Sequence, residues 1–434
     1  MSRLRNETER RRDGETGGIC LVSLSLCLSV SLSLVAMLIL GAPAKEPASA
    51  AFILHTTEGK NFSGPLAKLT AEGAIRLGGE QPILVPGQEV VSLRCALPLP
   101  DYPKKNVVIL TNGDRIPLDP DPIRLEEGRL FFHVASPLVG PGGQGVKVPR
   151  GFVAVLWLAP PSGTDADLLA RSLLTGTRKQ DVLLLANGDR VEGKVTAIDS
   201  AKGCTVLAGQ REVKVAFGQL AAIAFNTELQ ARFRPLKTYS HVVLAKGGRL
   251  SFASLQLDAD KNRLEGKTLF GARLEFPLTH LVAVEPRLGP VVFLSDIKPK
   301  SYQHTPFLDV SWPLVTDAAV SGRPLRLAGS TFDKGLGTHS QCRVNYALDG
   351  GYRWFQALVG LDERSGKRGR VRISVLVDGK EQDLGCNKEL TAKDAPLPVR
   401  IDVRKARELT LLVRFGSFGD VEGHVNWADA RLIR

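Results

Sequence analysis

Alternating apolar and polar positions run through most of the chain after residue 50 and predict short β-strands. The pattern is clearest at residues 182–195, where an apolar run leads into Asn187-Gly188 and a second run leaves it. Asn-Gly between two such runs is a strong hairpin signal, because the tight turn needs a positive φ. The sequence therefore predicts a β-hairpin here.

Three further segments share this layout, so the middle of the chain is predicted to be a repeat. The four predicted turns lie at residues 57–60, 112–115, 187–190 and 246–249. Each copy has only about 50 residues, and a sheet of that size is marginally stable unless it curls or packs on a neighbour. We therefore expect small five-stranded, SH3-like or Sm-like half-barrels that pack in pairs or rows. The Asn-Gly-Asp turns are interpreted as polar turn tips, not as metal loops.

Alternation is equally regular near the C-terminus, at residues 371–377, 399–404 and 409–414. A period of two with a mixed outer face is typical of antiparallel strands with one buried side. Several such strands in about 130 residues predict a β-sandwich.

Four C-terminal segments also carry a family resemblance: FDKGLGTHS (332–340), YALDGGYRWF (346–355), VGLDE (359–363) and HVNWADARL (424–432). Together they resemble the NPCBM family of carbohydrate-binding modules, which are found beside many glycoside hydrolases. The resemblance covers about residues 300–434 and implies a jelly-roll sandwich that binds a glycan. The repeats resemble small β-barrel repeats that precede such modules in planctomycete-type bacterial exported proteins. Nothing else in the chain resembles a catalytic domain.

These patterns divide the chain into seven predicted segments. They are a signal peptide or membrane anchor (1–50), β repeat 1 (51–100), β repeat 2 (101–160), a linker with a short helix (161–178), β repeat 3 (179–230), β repeat 4 (238–288) and the jelly-roll module (300–434). In the linker, Thr164 or Asp165 is the predicted N-cap, and Leu168, Leu169 and Leu173 form the predicted apolar face.

The N-terminus predicts export. Residues 1–12 are rich in Arg, residues 19–40 carry no charge, and Ala-x-Ala sites end at Ala44 and Ala50. This order describes a secretory signal, and the apolar run is also long enough to span a bilayer uncleaved. In both cases residues 51–434 are expected outside the cytoplasm, secreted, periplasmic or anchored by the N-terminal segment.

Charge and cysteine content narrow the classes further. The formal net charge is +12, but the basic residues are dispersed among acids, which favours a solubilising surface over nucleic-acid binding. The cysteines after residue 50 fit neither a zinc pattern nor a dense disulfide framework. Cys342 and Cys386 fall in one predicted domain, and the sequence leaves open whether they pair.

Candidate ligand-binding residues are aromatic and polar side chains of the C-terminal module. Sugar-binding modules use aromatic rings against pyranose faces and polar groups for hydroxyls. The candidates are Tyr352 and Trp354 after a Gly-Gly turn, Phe418 between glycines, Trp427 and Asp429 in a family motif, and His339 and His424. Core packing for Trp427, and hydrogen bonding to Asp429 or backbone for the histidines, are the alternative interpretations.

Asp362 and Glu363 are weak candidates for a structural calcium ion, since calcium prefers oxygen ligands. Two acids are few for such a site, and no other metal or cofactor is expected. No Ser-His-Asp or Cys-His order surrounds the histidines, so no catalytic residue is assigned.

We therefore expect an exported, non-catalytic carbohydrate-binding protein whose partner is a glycan or polysaccharide. The alternative is a structural cell-envelope protein that contacts other proteins and binds no sugar. The membrane is expected to be contacted only through the N-terminal segment. The glycan, the oligomeric state and the role of the repeats are open at this point.

Overall fold

The structure, a computed structural model, describes residues 51–139, 143–307, 309–386 and 389–434. Most of these residues lie in β-strands, which confirms the predicted all-β fold. The predicted signal or anchor at residues 1–50 lies outside the described residues. Within the described ranges, no helix is both long and apolar enough to cross a lipid bilayer.

The first part of the described chain contains four units with one strand order. The strands of unit 1 are β1 (Ala51–Thr56), β2 (Asn61–Leu69), β3 (Ile75–Leu77), β4 (Ile83–Val85) and β5 (Val90–Cys95). Unit 2 contains β6 (Val107–Leu110), β7 (Arg115–Glu126), β8 (Arg129–Val134), the short helix α1 (Ser136–Val139), β9 (Gln144–Pro149) and β10 (Val153–Trp157).

A helix, α2 (Ala166–Thr175), separates the first two units from the last two. Unit 3 contains β11 (Asp181–Leu185), β12 (Arg190–Asp199), β13 (Gly203–Ala208), β14 (Arg211–Val215) and β15 (Leu220–Ala224). Unit 4 contains β16 (Tyr239–Leu244), β17 (Arg249–Asp258), β18 (Arg263–Thr268), β19 (Arg273–Pro277) and β20 (Leu281–Arg287).

In every unit, the first four strands pair antiparallel in succession and the fifth strand returns to the first. A single 3-10 turn precedes each fifth strand. These turns are Gly87–Glu89, Arg150–Phe152, Phe217–Gln219 and Leu278–His280. The five-stranded layout matches the predicted repeat, while its assignment as SH3-like or Sm-like stays a prediction.

The hairpin turns have the backbone that their glycines predicted. Gly113 and Gly188 have φ values of 90° and 93°, in the region that glycine adopts without a steric penalty. The two tips differ in their surroundings, however. Asp189 is exposed, whereas Asp114 is buried and accepts hydrogen bonds from the backbone and hydroxyl of Ser251 at 2.8 and 2.7 Å. The expected polar tip of unit 2 therefore packs against unit 4.

The units pair through their fifth strands. Pairing is expected because a sheet of about 50 residues is marginally stable by itself. Strand β5 pairs antiparallel with β20, and β10 pairs antiparallel with β15. Unit 1 thus lies against unit 4, and unit 2 lies against unit 3. Joining two small sheets in this way covers apolar strand faces that one unit leaves open to water.

Helix α2 begins at its predicted cap. The Asp165 carboxylate accepts hydrogen bonds from the backbone amides of Asp167 and Leu168 at 3.0 and 3.1 Å. Leu173 is buried, but Leu168 is exposed, so the predicted apolar face is wrong at that position. The helix packs against β10 through a side that includes the other two predicted residues, Leu169 and Leu173.

The C-terminal part contains two six-stranded sheets and a hairpin. Its strands are β21 (Val291–Phe293), β22 (Ser301–His304), β23 (Val315–Thr316), β24 (Leu325–Leu327), β25 (Ser330–Phe332), β26 (Gly335–His339), β27 (Cys342–Ala347), β28 (Trp354–Leu361), β29 (Arg370–Val377), β30 (Lys380–Glu381), β31 (Leu390–Thr391), β32 (Leu397–Asp402), β33 (Glu408–Phe415) and β34 (His424–Ile433). One sheet has the order β23-β26-β34-β28-β32, and β21 also pairs with β34. The other has the order β22-β27-β33-β29-β30, with β31 on β29.

The two sheets enclose one apolar core, which confirms the predicted β-sandwich. Phe355, Tyr346 and Trp427 are among its fully buried side chains. Because β21 completes the first sheet, the sandwich begins at Val291, ahead of the predicted start at residue 300. Cys342, whose pairing the sequence left open, is a free thiol in this core.

Buried ion pairs join the sandwich to the units. Arg94 of β5 bonds to Glu285 of β20 and, at 2.5 Å, to Asp429 of β34. Arg249 of β17 bonds to Asp333 at 2.8 Å. Since these partners come from distant parts of the chain, the sandwich has a defined orientation on units 1 and 4.

Candidate functional site

Three histidines meet at one end of the sandwich. His304 ends β22, His339 ends β26 and His424 begins β34. His339 and His424 are opposite each other in the antiparallel pair of β26 and β34. The pairing of strands therefore brings together residues that are far apart in the sequence.

Trp312 completes this cluster from the loop between β22 and β23. Its ring stacks on His339 with centroids 4.8 Å apart and an interplanar angle of 5°. The centroid of the His424 ring lies 5.1 Å from Trp312 and 5.1 Å from His339, and His304 lies 5.8 Å from His339. We call Trp312, His304, His339 and His424 the Trp–His cluster.

Hydrogen bonds hold the loop that carries Trp312. The backbone amide of Trp312 donates to His304 Nδ1 at 3.3 Å, and the Tyr302 hydroxyl donates to the Trp312 carbonyl at 2.7 Å. Ser340 Oγ lies 3.2 Å from His339 Nδ1. The indole is therefore positioned in advance, which reduces the entropy lost when a ligand packs on it.

Burial keeps the histidines uncharged near neutral pH. Burial, with the neighbouring His424 as the next cause, lowers the pKa of His339 to about 4. Burial also lowers the pKa of His304 and of His424. A neutral imidazole has one donor and one acceptor nitrogen, so each ring can serve either role towards a hydroxyl group. His424 Nδ1 is buried and has no partner among the described residues.

Exposed apolar side chains lie beside the cluster. Phe307 is 60% exposed and Phe418 is 50% exposed, while Val310 and Val421 are also exposed. Phe307 meets Phe415 edge to face at 5.7 Å, and the Arg370 guanidinium lies over Phe418 at 4.6 Å. Planar rings at a rim are the usual apolar contact for the faces of sugar rings.

The structure brings together three of the predicted ligand residues, His339, His424 and Phe418, at this end. Asp420 links them, because it acts electrostatically on both His304 and His339 from the loop that carries Phe418. The loop is held by a 2.8 Å hydrogen bond from the Ser340 amide to the Gly423 carbonyl.

Tyr352, Trp354 and Asp429 lie elsewhere. Trp354 is opposite Ile433, at the other end of β34 from His424, and its ring is covered by Arg400 at 4.0 Å. Tyr352 packs partly into the core, and Asp429 is buried in the ion pair with Arg94. These three side chains therefore belong to the junction with the units and the adjoining core.

Trp427 is completely buried at the centre of β34. Its neighbours in the pairing are Leu336 and Val359, and its indole nitrogen has no partner within the described residues. The ring fills the core, so it presents no face to a ligand.

The two calcium candidates have separate surroundings. Both carboxylate oxygens of Glu363 accept hydrogen bonds, from Arg326 at 3.0 Å and from the Gly329 amide at 2.7 Å. Asp362 is buried, and burial raises its pKa. In the described ranges, no group of three or more His, Cys, Asp or Glu side chains is arranged to hold a metal ion.

Sequence reasoning missed Trp312, His304 and Phe307. All three lie in residues 301–313, where prolines interrupt the strand pattern. An aromatic-rich segment without alternation is a signal for an exposed aromatic loop. The position of this segment beside His339 and His424 depends on the pairing of remote strands. The sequence of residues 301–313 does not indicate that pairing.

Comparison with known proteins gives a family match for the C-terminal part of the chain. Residues 291–433 match the family model of the NPCBM/NEW2 domain. The match begins at the first residue of β21, the strand that completes the first sheet. This part of the chain is thus identified as an NPCBM/NEW2 domain, which confirms the predicted resemblance.

One curated protein, "Putative endo-alpha-N-acetylgalactosaminidase" of Renibacterium salmoninarum, is 27% identical over 112 residues. The match covers 26% of this chain and only 7% of that protein's length. Two solved structures from Clostridium perfringens are also similar. A CBM51 module of GH95 in complex with methyl-galactose is 25% identical, over 33% of this chain and 99% of the module, with a TM-score of 0.30. The CBM51-2 and INT domains of ZmpB, in complex with GlcNAc, are 23% identical over 42% of this chain and 44% of that chain, with a TM-score of 0.31.

Proposed function

We propose that this protein binds a glycan at the Trp–His cluster and acts without catalysis. The observation that carries the proposal is the stacked pair of Trp312 and His339, flanked by two further imidazoles at one end of an NPCBM/NEW2 domain. The indole supplies apolar contact area for a sugar ring, and the neutral imidazoles supply hydrogen bonds for its hydroxyl groups. Phe418 and Phe307 extend the contact to a second sugar residue.

The first test identifies the glycan and then removes one ring. Residues 51–434 are applied to a glycan array, and affinity for a retained glycan is measured by calorimetry. Loss of one stacked ring costs about 1–3 kcal/mol of binding free energy, so Trp312→Ala should weaken binding roughly five- to hundredfold. Phe418→Ala should weaken it in the same direction with little change in melting temperature, since that ring is half exposed.

Trp354→Ala is the matched control. It removes the same side chain at the opposite end of β34, where Trp354 packs beside Val91, Val291 and Phe293. We expect it to lower the melting temperature and to leave glycan affinity unchanged. An affinity loss in Trp354→Ala that exceeds the loss in Trp312→Ala would place the sugar at the junction end instead.

The absence of catalysis is part of the proposal and needs its own readout. A glycan that binds is incubated with the protein, and products are followed by mass spectrometry. We expect the glycan to be recovered intact. Cleavage that is lost in a His339→Phe variant would contradict a purely binding role.

Protein–protein contact is the second candidate function. The exposed Phe307, Val310, Phe418 and Val421 form an apolar surface that suits a protein partner in the cell envelope as well as a sugar. Failure of residues 51–434 to bind any glycan on the array would favour this candidate.

Export is proposed from the N-terminal sequence, with its Arg-rich start and uncharged run. A reporter that is active only in the cytoplasm, fused after Ala51, should give no signal. In the control, residues 1–50 are deleted and the same reporter follows Ala51 directly. This control should give a cytoplasmic signal. A strong signal from the first fusion would contradict an extracytoplasmic location.

A further inference from the structure

A cavity lies where unit 2, helix α2 and the sandwich meet. Its volume is about 320 Å³. The connection before β6 supplies Tyr102 and unit 2 supplies Arg115, while helix α2 supplies Arg171 and the sandwich supplies Asp317 and Arg364. A volume of this size is at the lower end of the range for small-molecule sites.

Arg115 carries a positive charge without a counter-charge in direct contact. Its guanidinium lies 4.0 Å from the centroid of Tyr102, and the side chain is only partly exposed. It makes no hydrogen bond or ion pair with any described residue, and burial lowers its pKa. The neighbouring Arg249, its strand partner, uses Asp333 as its own counter-ion. Asp333 is therefore the counter-ion of Arg249 and makes no ion pair with Arg115.

Arg171, which also lines the cavity, is in the same situation. This side chain of α2 is half-buried, burial lowers its pKa, and it has no hydrogen bond or ion pair with the described residues. Lys104, which is exposed at the cavity, also lacks an ion pair there. The side-chain donors of these residues are available to a ligand.

Each carboxylate of the wall has a cationic partner, and two of these partners are shared with a further acid. The pairs are Asp101–Arg326 at 2.6 Å, Asp165–Arg323 at 2.7 Å, Asp317–Lys334 at 2.7 Å and Asp167–Arg364, while Arg326 also pairs with Glu363 and Lys334 with Asp296. Arg115 and Arg171 thus remain cations without a direct counter-ion among the described residues, in a partly desolvated space. Such charge is costly unless an anion enters.

The remaining wall is apolar. Val107, Ile109, Ala170 and Leu174 face the cavity, and Trp157 contributes with its indole nitrogen already donating to the Lys104 carbonyl at 2.9 Å. An occupant therefore meets both charged groups and hydrocarbon surface.

We propose that this junction cavity binds a small organic carboxylate, held by Arg115 and Arg171, with its ring-sized body against the apolar wall. The planar arginine fork matches a carboxylate in a bidentate geometry. A singly charged group is favoured over a phosphate dianion, because four carboxylates line the same wall and repel a second negative charge. This site is separate from the proposed glycan site, and its test does not depend on glycan binding.

The ligand would contact unit 2, α2 and the sandwich at once. Anything that binds only the folded protein stabilises it, so occupancy should raise the melting temperature. Residues 51–434 are titrated with sodium benzoate, sodium D-glucuronate, benzamide and inorganic phosphate at constant ionic strength. We expect saturable binding of benzoate or glucuronate in the millimolar range or tighter. The two acids distinguish an aromatic body from a sugar acid, and benzamide is the uncharged match for benzoate.

Two charge-removing variants decide the assignment. Arg115→Met and Arg171→Met keep most of the side-chain length, and each should weaken binding of the acid about tenfold or more. The control, Arg211→Met, removes an exposed arginine of β14 and should change nothing. Because Arg115 has no counter-ion in direct contact, its variant should stay folded and lose only the contact of the guanidinium with Tyr102.

Four outcomes would overturn the proposal. They are equal binding of benzamide and benzoate, tighter binding of phosphate than of both acids, acid affinity that is unchanged in both cavity variants, and absence of binding by both acids. The last outcome rejects the proposal whatever the result at the Trp–His cluster.

Discussion

Replacing Arg249 by Met should destabilise the protein by roughly 3–5 kcal/mol, the usual cost of breaking a buried ion pair from one side. Arg249 is completely buried, and its Nε donates to Asp333 at 2.8 Å. Its Nη2 donates to the carbonyls of Pro100 and Thr331 at 2.8 and 3.3 Å. Without Arg249, Asp333 keeps only the Tyr102 hydroxyl and His241 as partners, and its charge is no longer balanced. Urea denaturation monitored by tryptophan fluorescence measures the loss.

The double variant Arg249→Met with Asp333→Asn separates charge from packing. Burial by itself would raise the pKa of Asp333, but Arg249, His241 and Tyr102 outweigh burial and hold that pKa well below its usual range. The double variant removes both charges, so it should recover part of the lost stability. The exposed substitution Arg211→Met is the control and should stay within about 0.5 kcal/mol of the parent. If Arg249→Met were equally mild, the pair would not hold the sandwich on the units.

Lowering the pH from about 6.5 to about 4 should cost the folded protein about 3 kcal/mol through His339 alone. Burial, with His424 as the next cause, lowers the pKa of His339 from 6.5 to about 4. The folded-state pKa is below the unfolded value, so protonation favours the unfolded chain. The stability is fully present above about pH 6.5 and is lost as the pH falls towards 4. Unfolding free energies measured by urea denaturation at several pH values between 4 and 7.5 follow this loss.

His339→Phe is the variant that isolates this effect. A phenyl ring keeps the aromatic stack on Trp312 but cannot take up a proton, so the slope of stability against pH should become smaller between pH 6.5 and 4. The variant also loses the contact between His339 Nδ1 and Ser340 Oγ, which lowers its unfolding free energy by the same amount at every pH. Comparing the slopes of unfolding free energy against pH in the parent and the variant removes this constant difference. The prediction is wrong if the parent and the variant lose stability equally over this range.

Local patterns were sufficient for much of the fold. Asn187-Gly188 predicted a hairpin because few residues other than glycine adopt the positive φ of the turn, and Gly188 has that backbone. Alternation at residues 371–377 predicted a strand with one buried side, and Arg370–Val377 is a strand of the sandwich. Asp165 was a predicted helix cap because its carboxylate reaches amides two and three residues ahead. Each of these signals depends on neighbours in the sequence.

Contacts between residues that are far apart in the sequence could not be predicted from such local patterns. Asp114 and Asp189 occupy equivalent turns, yet only Asp114 is buried, because unit 4 packs on its turn. Trp354 follows a glycine turn and was predicted at a ligand surface, whereas the neighbouring unit and Arg400 cover its ring. Burial of such residues depends on which surface docks against them, and periodicity does not report docking.

The sequence by itself determined the strands, the turns, the cap of α2 and the class of the C-terminal domain, because these follow from short-range periodicity, backbone preferences and local motifs. Only the tertiary structure decided which side chains meet. Strand pairing places His339 beside His424, and a loop from another strand adds Trp312. Docking of unit 2, α2 and the sandwich surrounds Arg115 and Arg171 with one cavity. The physical reason is that a site needs distances between remote residues, and those distances are set by packing and pairing across the whole chain.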